Sequence, residues 1–392
     1  MKTSVFAILL ILFTILPAVA MAQSSLAHPV APPAPASEQS FRPPGLAIGG
    51  YGEFHFNGGR GDVPEALDIH RFVVYLGYQF NRFVRFNAEM EMEHAFVSKE
   101  SGGEIGLEQF NLDIKLHPFL RIRIGRFLAP MGLINTDHEP TKFNGVERPL
   151  VARYIIPTTW SPDGVEVSGG LKGWFNYTFG VVSSLDGSAF SATNGIRDGR
   201  VKERPGFASS PTLVGRFEAT PFPGLQKDGQ LLRIGGSVFH GPVDAGNKGI
   251  PNSIESDFTM FTADLVFSIA GVEMKGVLAY TLLTDSATLN PEVAKNMLGY
   301  YVEAAYSLPR TLTRPVKAER IILFGRFERF DTQFRMFDGT MADPGGDRSA
   351  ITAGLGWYLE KDAVLKLDYT RLETVDAGKV DHLFSAGVGF RF

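Results

Sequence analysis

The segment FVRFNAEMEMEH, residues 83–94, decides the fold class because apolar and polar side chains alternate strictly along it from Val84 to Glu93. A period of two residues is typical of a β-strand with one apolar face and one polar face. The two faces carry Val84, Phe86, Ala88, Met90 and Met92 against Arg85, Asn87, Glu89, Glu91 and Glu93. Segments 119–125 and 363–370 alternate in the same way.

The same period marks sixteen strand-like segments from Leu46 to the end of the chain. Most of them run for about ten residues or more, the length that a tilted strand needs to cross a bilayer. The predicted strands are 46–57, 68–79, 82–94, 104–116, 119–129, 163–171, 174–184, 209–220, 230–240, 256–269, 271–283, 296–308, 319–331, 348–359, 363–373 and 381–392.

The connections between these strands alternate in length. Links after odd-numbered strands are predicted to be long: 58–67, 95–103, 130–162, 185–208, 241–255, 284–295, 332–347 and 374–380. Most links after even-numbered strands are short, such as His117-Pro118 and Lys172-Gly173. Short periplasmic turns and long outer loops are typical of outer-membrane barrels. We therefore expect an all-β protein, a 16-stranded antiparallel transmembrane β-barrel whose apolar face meets lipid and whose polar face meets water.

The composition excludes several classes of function. The net charge of −4 shows no excess of basic residues, so we expect no nucleic-acid partner. The chain has no cysteine, which excludes disulfides and thiolate metal sites. Forty-three glycines and 32 phenylalanines at a mean hydropathy near zero fit alternating strands.

The N-terminus reads as an export signal over residues 1–22. Lys2 is followed by an apolar run, and cleavage after Ala22 or after Ala20 fits the small-residue rule. Residues 23–45 are rich in proline and alanine and are expected to form a periplasmic linker. Residues 46–392 then form the barrel, which places the protein in the bacterial outer membrane.

The last strand, LFSAGVGFRF, ends the chain on an aromatic residue, Phe392. A terminal strand of this kind resembles the signal by which the barrel assembly machinery recognises its substrates. An open apolar edge would invite aggregation, so we expect this strand to pair with the first and close the barrel.

The link 130–162 is the longest of the eight outer loops and has no regular pattern. We expect this third loop to fold into the lumen and narrow it. The candidate pore-lining and constriction residues are Arg85, Glu89, Glu91, Glu93, Arg121, Arg123, His138, Lys142, Arg148 and Arg153. Alternatively, the acidic residues hold the loop in place by pairing with Lys142, Arg148 or Arg153.

Catalysis and metal binding find little support in the sequence. Asp137-His138-Glu139 offers suitable ligand atoms, but neighbouring loop residues seldom point to one centre, so we predict no metal site. Ser385 and His382 would face opposite sides of a strand, and there is no phosphate-binding glycine loop. We expect no cofactor and no enzymatic activity.

The chain resembles bacterial outer-membrane porins, specifically the phosphate-selective porin O and P superfamily. The stretches that carry the resemblance include GGYGEFHFN (49–57), IGRFLAPMGLIN (124–135) and IIPTTWSPDGVEVSG (155–169). The resemblance implies a homotrimer, a third loop inside the lumen, and anion selectivity based on lumen arginines and a lysine cluster. The loop has one lysine, Lys142, so a phosphate or anion preference and a mixed or cation preference both remain open.

The sequence thus predicts a porin that lets small hydrophilic solutes or ions diffuse passively through an aqueous barrel set in lipid. A different class remains possible, a structural or adhesive barrel with a largely plugged lumen. The third hypothesis is a soluble periplasmic β-protein.

Overall fold

A computed structural model describes residues 45–60, 65–94, 104–201, 207, 209–228, 230–251, 253–284, 287–375 and 377–392. The predicted signal peptide lies outside the described residues. So does the predicted linker, apart from Gly45, which is already the first residue of the first strand.

Sixteen antiparallel strands form one closed barrel, in which each strand pairs with its sequence neighbours and β1 pairs with β16. Closure confirms the predicted pairing of the terminal strand, and the backbone of Phe392 forms two hydrogen bonds of 3.0 Å with Gly50. The strands are β1 (Gly45–Arg60), β2 (Ala66–Gln79), β3 (Val84–Glu93), β4 (Glu104–His117), β5 (Leu120–Arg126), β6 (Asp163–Leu171), β7 (Phe175–Val182), β8 (Thr212–Ala219), β9 (Leu231–Pro242), β10 (Asp257–Ile269), β11 (Val272–Leu283), β12 (Asn296–Ser307), β13 (Arg320–Arg335), β14 (Asp347–Glu360), β15 (Ala363–Thr374) and β16 (Lys379–Arg391).

Seven of the eight predicted outer loops have different bounds in the structure, but no bound differs by more than four residues. The first and last outer links are short, 61–65 and 375–378, because the strands beside them continue further than predicted. The third loop starts earlier, at 127 rather than 130. It does so because Gly125 has a φ of 122°, a conformation that ordinary residues rarely adopt, and β5 ends one residue later.

Helical segments are short and lie in the connections. They are α1 (Val151–Tyr154), α2 (Arg310–Thr313) and the 3₁₀ turns Gly187–Ala189, Arg197–Gly199, Pro223–Asp228 and Arg314–Val316. Within the described residues, no helix is both long enough and apolar enough to span a membrane.

The exposure of the side chains confirms the two faces of the strands. In β3, Met90 is 51 % exposed on the outside, whereas Glu89 is 2 % exposed on the lumen side. In β15, Leu367 points outward and Lys366 is buried inside. A continuous outer band of apolar side chains is the surface that lipid covers in a transmembrane barrel.

Five register shifts interrupt the pairing of the described strands, and two of them are β-bulges that place charged residues in the lumen. The register shifts between Glu89 and Met90 of β3, opposite Glu108, and between Glu53 and Phe54 of β1, opposite His70. A bulge opposes two residues of one strand to one residue of the other. Consequently Glu108 is buried on the lumen side, although strict alternation would place it beside Phe110 on the lipid face.

The lumen is not polar throughout, contrary to the simple two-face expectation. Toward the outer loops, apolar side chains of the wall pack against the third and fourth loops, with Trp160 and Phe239 ring centroids 4.3 Å apart. We call this group the inner cluster; it includes Phe127, Met131, Val151, Ile155, Trp160, Leu185, Phe190, Ile196, Phe239, Phe258, Met260, Tyr301 and Phe330. Each such buried side chain stabilises the arrangement by about 1.5–3 kcal/mol.

Candidate pore site

The ends of the third loop are held together by Asn135, which is fully buried. Its amide nitrogen donates to the carbonyl oxygens of Ala129 (2.8 Å) and Trp160 (2.9 Å), and its oxygen accepts from the Trp160 amide at 2.9 Å. One side chain therefore bonds backbone groups of both arms of the loop, beside the direct bond of 2.8 Å from the Ala129 amide to the Trp160 carbonyl oxygen.

Loop residues 139–151 lie against β12 to β16 and β1, which we call the sealed side. The Glu328 carboxylate accepts from the Val151 amide at 3.1 Å, and Asn144 donates to Glu303 at 2.9 Å. Lys366 donates to the carbonyl oxygen of Phe143 at 2.8 Å. Wall charges on this side are thus satisfied by the loop itself.

Two acidic residues of the loop also contact the wall. Glu147 accepts from His55 at 3.0 Å and from Asn57 at 3.2 Å. Burial alone would raise the pKa of Glu147, but the hydrogen bond from His55 and its charge hold that pKa below the ordinary value. Glu139 accepts from the Tyr75 hydroxyl at 3.2 Å.

Away from β12 to β15, a cavity of about 610 Å³ separates loop residues 128–139 from the wall that runs from the end of β16 through β1 to β9. We call this the open side. Eight cationic side chains line the cavity: Arg85, Lys115, Arg121, Arg123, Lys172, Arg216, Arg233 and Arg391. Six acidic side chains line it: Glu89, Asp113, Asp137, Glu139, Glu166 and Glu218. Burial raises the pKa of Asp137.

Three arginines of the open side, Arg121, Arg123 and Arg216, pair with acids of nearby strands. Arg121 and Arg123 lie 3.2 and 3.6 Å from Asp113, and Arg123 lies 2.7 Å from Glu166. Arg216 binds Asp264 through two parallel bonds of 2.7 and 2.9 Å. Such pairs hold the guanidinium groups in a fixed position on the wall.

Five of the ten predicted site residues line this cavity: Arg85, Glu89, Arg121, Arg123 and His138. The other five, Glu91, Glu93, Lys142, Arg148 and Arg153, do not.

The predicted anchoring pairs between the acidic row of β3 and the basic loop residues are wrong for Glu89 and Glu91. Among the described residues, neither carboxylate lies within ion-pair distance of Lys142, Arg148 or Arg153. Arg71 of β2 is instead the ion-pair partner of Glu91, at 3.2 Å, and of Glu93, at 2.9 Å. Sequence alternation misses Arg71 because it follows the bulge residue His70.

The basic loop residues have other contacts. Arg148 donates to the carbonyl oxygen of His138 at 3.2 Å, within the loop. Burial and the neighbouring guanidinium groups of Arg200 and Arg153 lower the pKa of Arg197 to about 10. The guanidinium groups of Arg153, Arg197 and Arg200 therefore form a second cationic cluster, apart from the cations that line the cavity.

Three groups of side chains in the described part of the chain are close enough to hold a metal ion. They are Glu89, Glu108 and His138; His55, His70 and Glu147; and Asp68, His70 and His94. The first group includes His138, but neither Asp137 nor Glu139, its neighbours in the loop, belongs to it.

No family model matches the chain. A protein of Aquifex aeolicus (strain VF5) described as uncharacterised is 28 % identical over 366 residues, covering 89 % of this chain and 80 % of that protein.

Several solved structures share the fold at low identity. Salmonella typhi OmpF in complex with daunomycin has a TM-score of 0.60 at 12 % identity, over 88 % of this chain and 97 % of the other. The anion-selective porin of Comamonas acidovorans has 0.58 at 13 %, over 89 % and 100 %. The outer membrane channel DcaP of Acinetobacter baumannii has 0.55 at 12 %, over 89 % and 98 %. The chain therefore has the transmembrane β-barrel fold of outer-membrane porins.

Proposed function

We propose that the protein is a passive outer-membrane channel for small hydrophilic solutes, with a preference for anions, and that the third loop narrows its lumen. The observation that carries this proposal is the charged cavity beside the loop, where cationic side chains outnumber acidic ones. Rings or arcs of cationic side chains favour anions in a pore. The shared fold with an anion-selective porin and with a channel supports a channel over an enzyme.

Reversal potentials in planar bilayers test both parts of the proposal. With the protein inserted in a bilayer under a KCl gradient, we expect stepwise increases in conductance. The reversal potential should lie closer to the equilibrium potential of chloride than to that of potassium. Replacing Arg121 and Arg123 by glutamine leaves Asp113 and Glu166 without these partners. The chloride-to-potassium permeability ratio should then fall by at least about twofold.

The matched control removes two lysines from the periplasmic turns, Lys317→Gln and Lys361→Gln. Both residues are exposed, and the Lys361 side chain is 75 % exposed. This double variant should keep the wild-type reversal potential. A cation-selective wild type would contradict the anion preference, and it would also contradict phosphate as the permeant solute.

The inner cluster favours a second candidate function, a structural or adhesive barrel with a plugged lumen. Apolar packing between two loops and the wall closes part of the cross-section at the outer end. An absence of conductance steps from correctly folded protein would favour this candidate.

The remaining partners are proposals that follow from the resemblance. We expect a homotrimer, which crosslinking in intact outer membranes can test. We also expect that removing Phe392 impairs insertion by the barrel assembly machinery.

A further inference from the structure

Three buried side chains from three different segments meet where the third loop touches the wall. Glu89 lies on β3, Glu108 on the bulge of β4, and His138 on the loop, and they are 2 %, 5 % and 3 % exposed. Their ligand atoms all lie within 4.8 Å of one another.

The distances suit a shared ion. The Nε2 atom of His138 lies 3.3 Å from Oε2 of Glu108 and 4.0 Å from Oε1 of Glu89. Nitrogen and oxygen ligands bind first-row divalent ions at about 2.0–2.2 Å, so two ligands of one ion lie roughly 3–4 Å apart.

The histidine is oriented as metal ligands are. Its Nδ1 atom lies 2.9 Å from the carbonyl oxygen of Asn135, which can only accept, so Nδ1 donates. In the neutral ring, Nε2 then presents its lone pair to the two carboxylates. A metal-bound histidine commonly donates its other ring nitrogen to a carbonyl in this way.

The polar atoms that face one another have no other partner. No hydrogen bond satisfies Oε1 of Glu89, either carboxylate oxygen of Glu108, or Nε2 of His138. Among the described residues, no lysine or arginine lies within ion-pair distance of Glu89 or Glu108. Buried acceptors that converge without a donor are costly unless a proton or a cation lies between them.

We propose that Glu89, Glu108 and His138 bind a divalent first-row metal ion, with Zn²⁺ or Mn²⁺ suited to one imidazole and two carboxylates. The ion would join the third loop to the β3–β4 wall. It can reach the site from the lumen, because Glu89 and His138 both line the cavity. The proposal does not depend on the direction of the ion selectivity.

Zinc binding to the whole purified barrel tests the proposal. After treatment with a chelator, titration calorimetry should show Zn²⁺ binding, and diffraction at the zinc edge should place an anomalous peak between these three side chains. Glu108→Gln should weaken binding at this position by at least about 100-fold, because even partners outside the first shell contribute about 10–100-fold.

A control separates this site from the histidines nearer the outer loops. His70→Ala removes the residue shared by the other two groups and should leave the anomalous peak in place. His138→Ala changes only the loop and should abolish the peak, so the test survives if Glu108→Gln fails to fold. A peak at His70 alone, or binding unchanged in both ligand variants, would overturn the proposal and favour an imidazolium paired with Glu108.

Discussion

The third loop meets the two sides of the barrel in different ways. On the sealed side, buried wall charges such as Glu328 and Lys366 bind backbone groups of the loop. On the open side, Arg121 and Arg123 bind acids of adjacent strands and face a cavity. The same alternating strands supply both kinds of charge. Whether a wall charge anchors the loop or lines the lumen depends on whether loop backbone reaches it.

The sealed side also explains why the loop stays inside the barrel. A charge taken out of water is costly unless it is paired and hydrogen-bonded. Glu303, Arg326 and Glu328 form a chain of ion pairs at 3.1 and 2.8 Å, and the loop supplies the remaining donors to both glutamates. Displacing the loop would leave these donors missing.

Removing the sealed side should have the largest effect on conductance. Residues 139–149 can be replaced by a Gly-Gly-Ser-Gly linker, since the Arg148 side chain already reaches the carbonyl oxygen of His138. If the loop narrows the lumen, single-channel conductance should rise at least about twofold. Asn135 and α1 remain in place in this variant.

The control shortens the β13–β14 loop at residues 338–342, where Met341 is 92 % exposed. Its conductance should equal that of the wild type. Equal conductance in both variants would mean that the third loop does not line the path.

Arg326→Met should lower the free energy of unfolding by removing an ion-pair partner on the sealed side. It leaves Glu303 and Glu328 buried without their cation, and losing one partner of a buried pair costs about 3–5 kcal/mol. Urea unfolding in detergent, followed by tryptophan fluorescence, measures the change in the free energy of unfolding.

Arg329→Met on the same strand is the matched control. Its pair with Asp347 is more exposed, with the Arg329 side chain 40 % exposed, so its loss should cost about 1 kcal/mol or less. Similar losses in both variants would contradict the distinction between anchoring pairs and exposed pairs.

The sequence predicts the strand number, the faces and half of the candidate site, because these depend on local alternation. Arg121 and Arg123 line the cavity since their strand keeps an unbroken period of two. The anchors of the sealed side could not be predicted in the same way. Glu328 meets Val151 across 177 residues of sequence, and nothing local specifies that pairing.

The positions of the bulge residues are partly predictable from the sequence. Leu107 and Phe110 both point outward, so the apolar phase slips by one between them. The slip leaves two consecutive polar residues, Glu108 and Gln109, and that is a readable signal of a bulge. The same slip occurs between Ile69 and Phe72, around His70 and Arg71.

Asn135→Ala should loosen the junction between the sealed and open sides. It removes the two hydrogen bonds from the side-chain amide to the carbonyl oxygens of Ala129 and Trp160, and it leaves the buried Trp160 amide without its acceptor. An unsatisfied buried group costs about 1–3 kcal/mol, so the free energy of unfolding should fall by that amount. Asn81→Ala, in an exposed turn, serves as the control and should change it less. A loss no larger than that of the control would show that the two arms are held by the inner cluster instead.

Acid should release one anchor of the sealed side, and this is the smallest effect we expect. The pKa of Glu147 lies below its ordinary value, so its contact with His55 stabilises the folded state above the unfolded pKa of about 4.3. That contribution is lost as the pH falls through the folded pKa. Conductance noise from loop motion should therefore stay constant from about pH 7 to pH 5 and rise only below about pH 4. Glu147→Gln should show the raised noise at every pH, because the neutral amide lacks the charge at all of them. Noise that rises already near neutral pH, in the wild type alone, would assign the transition to a different group.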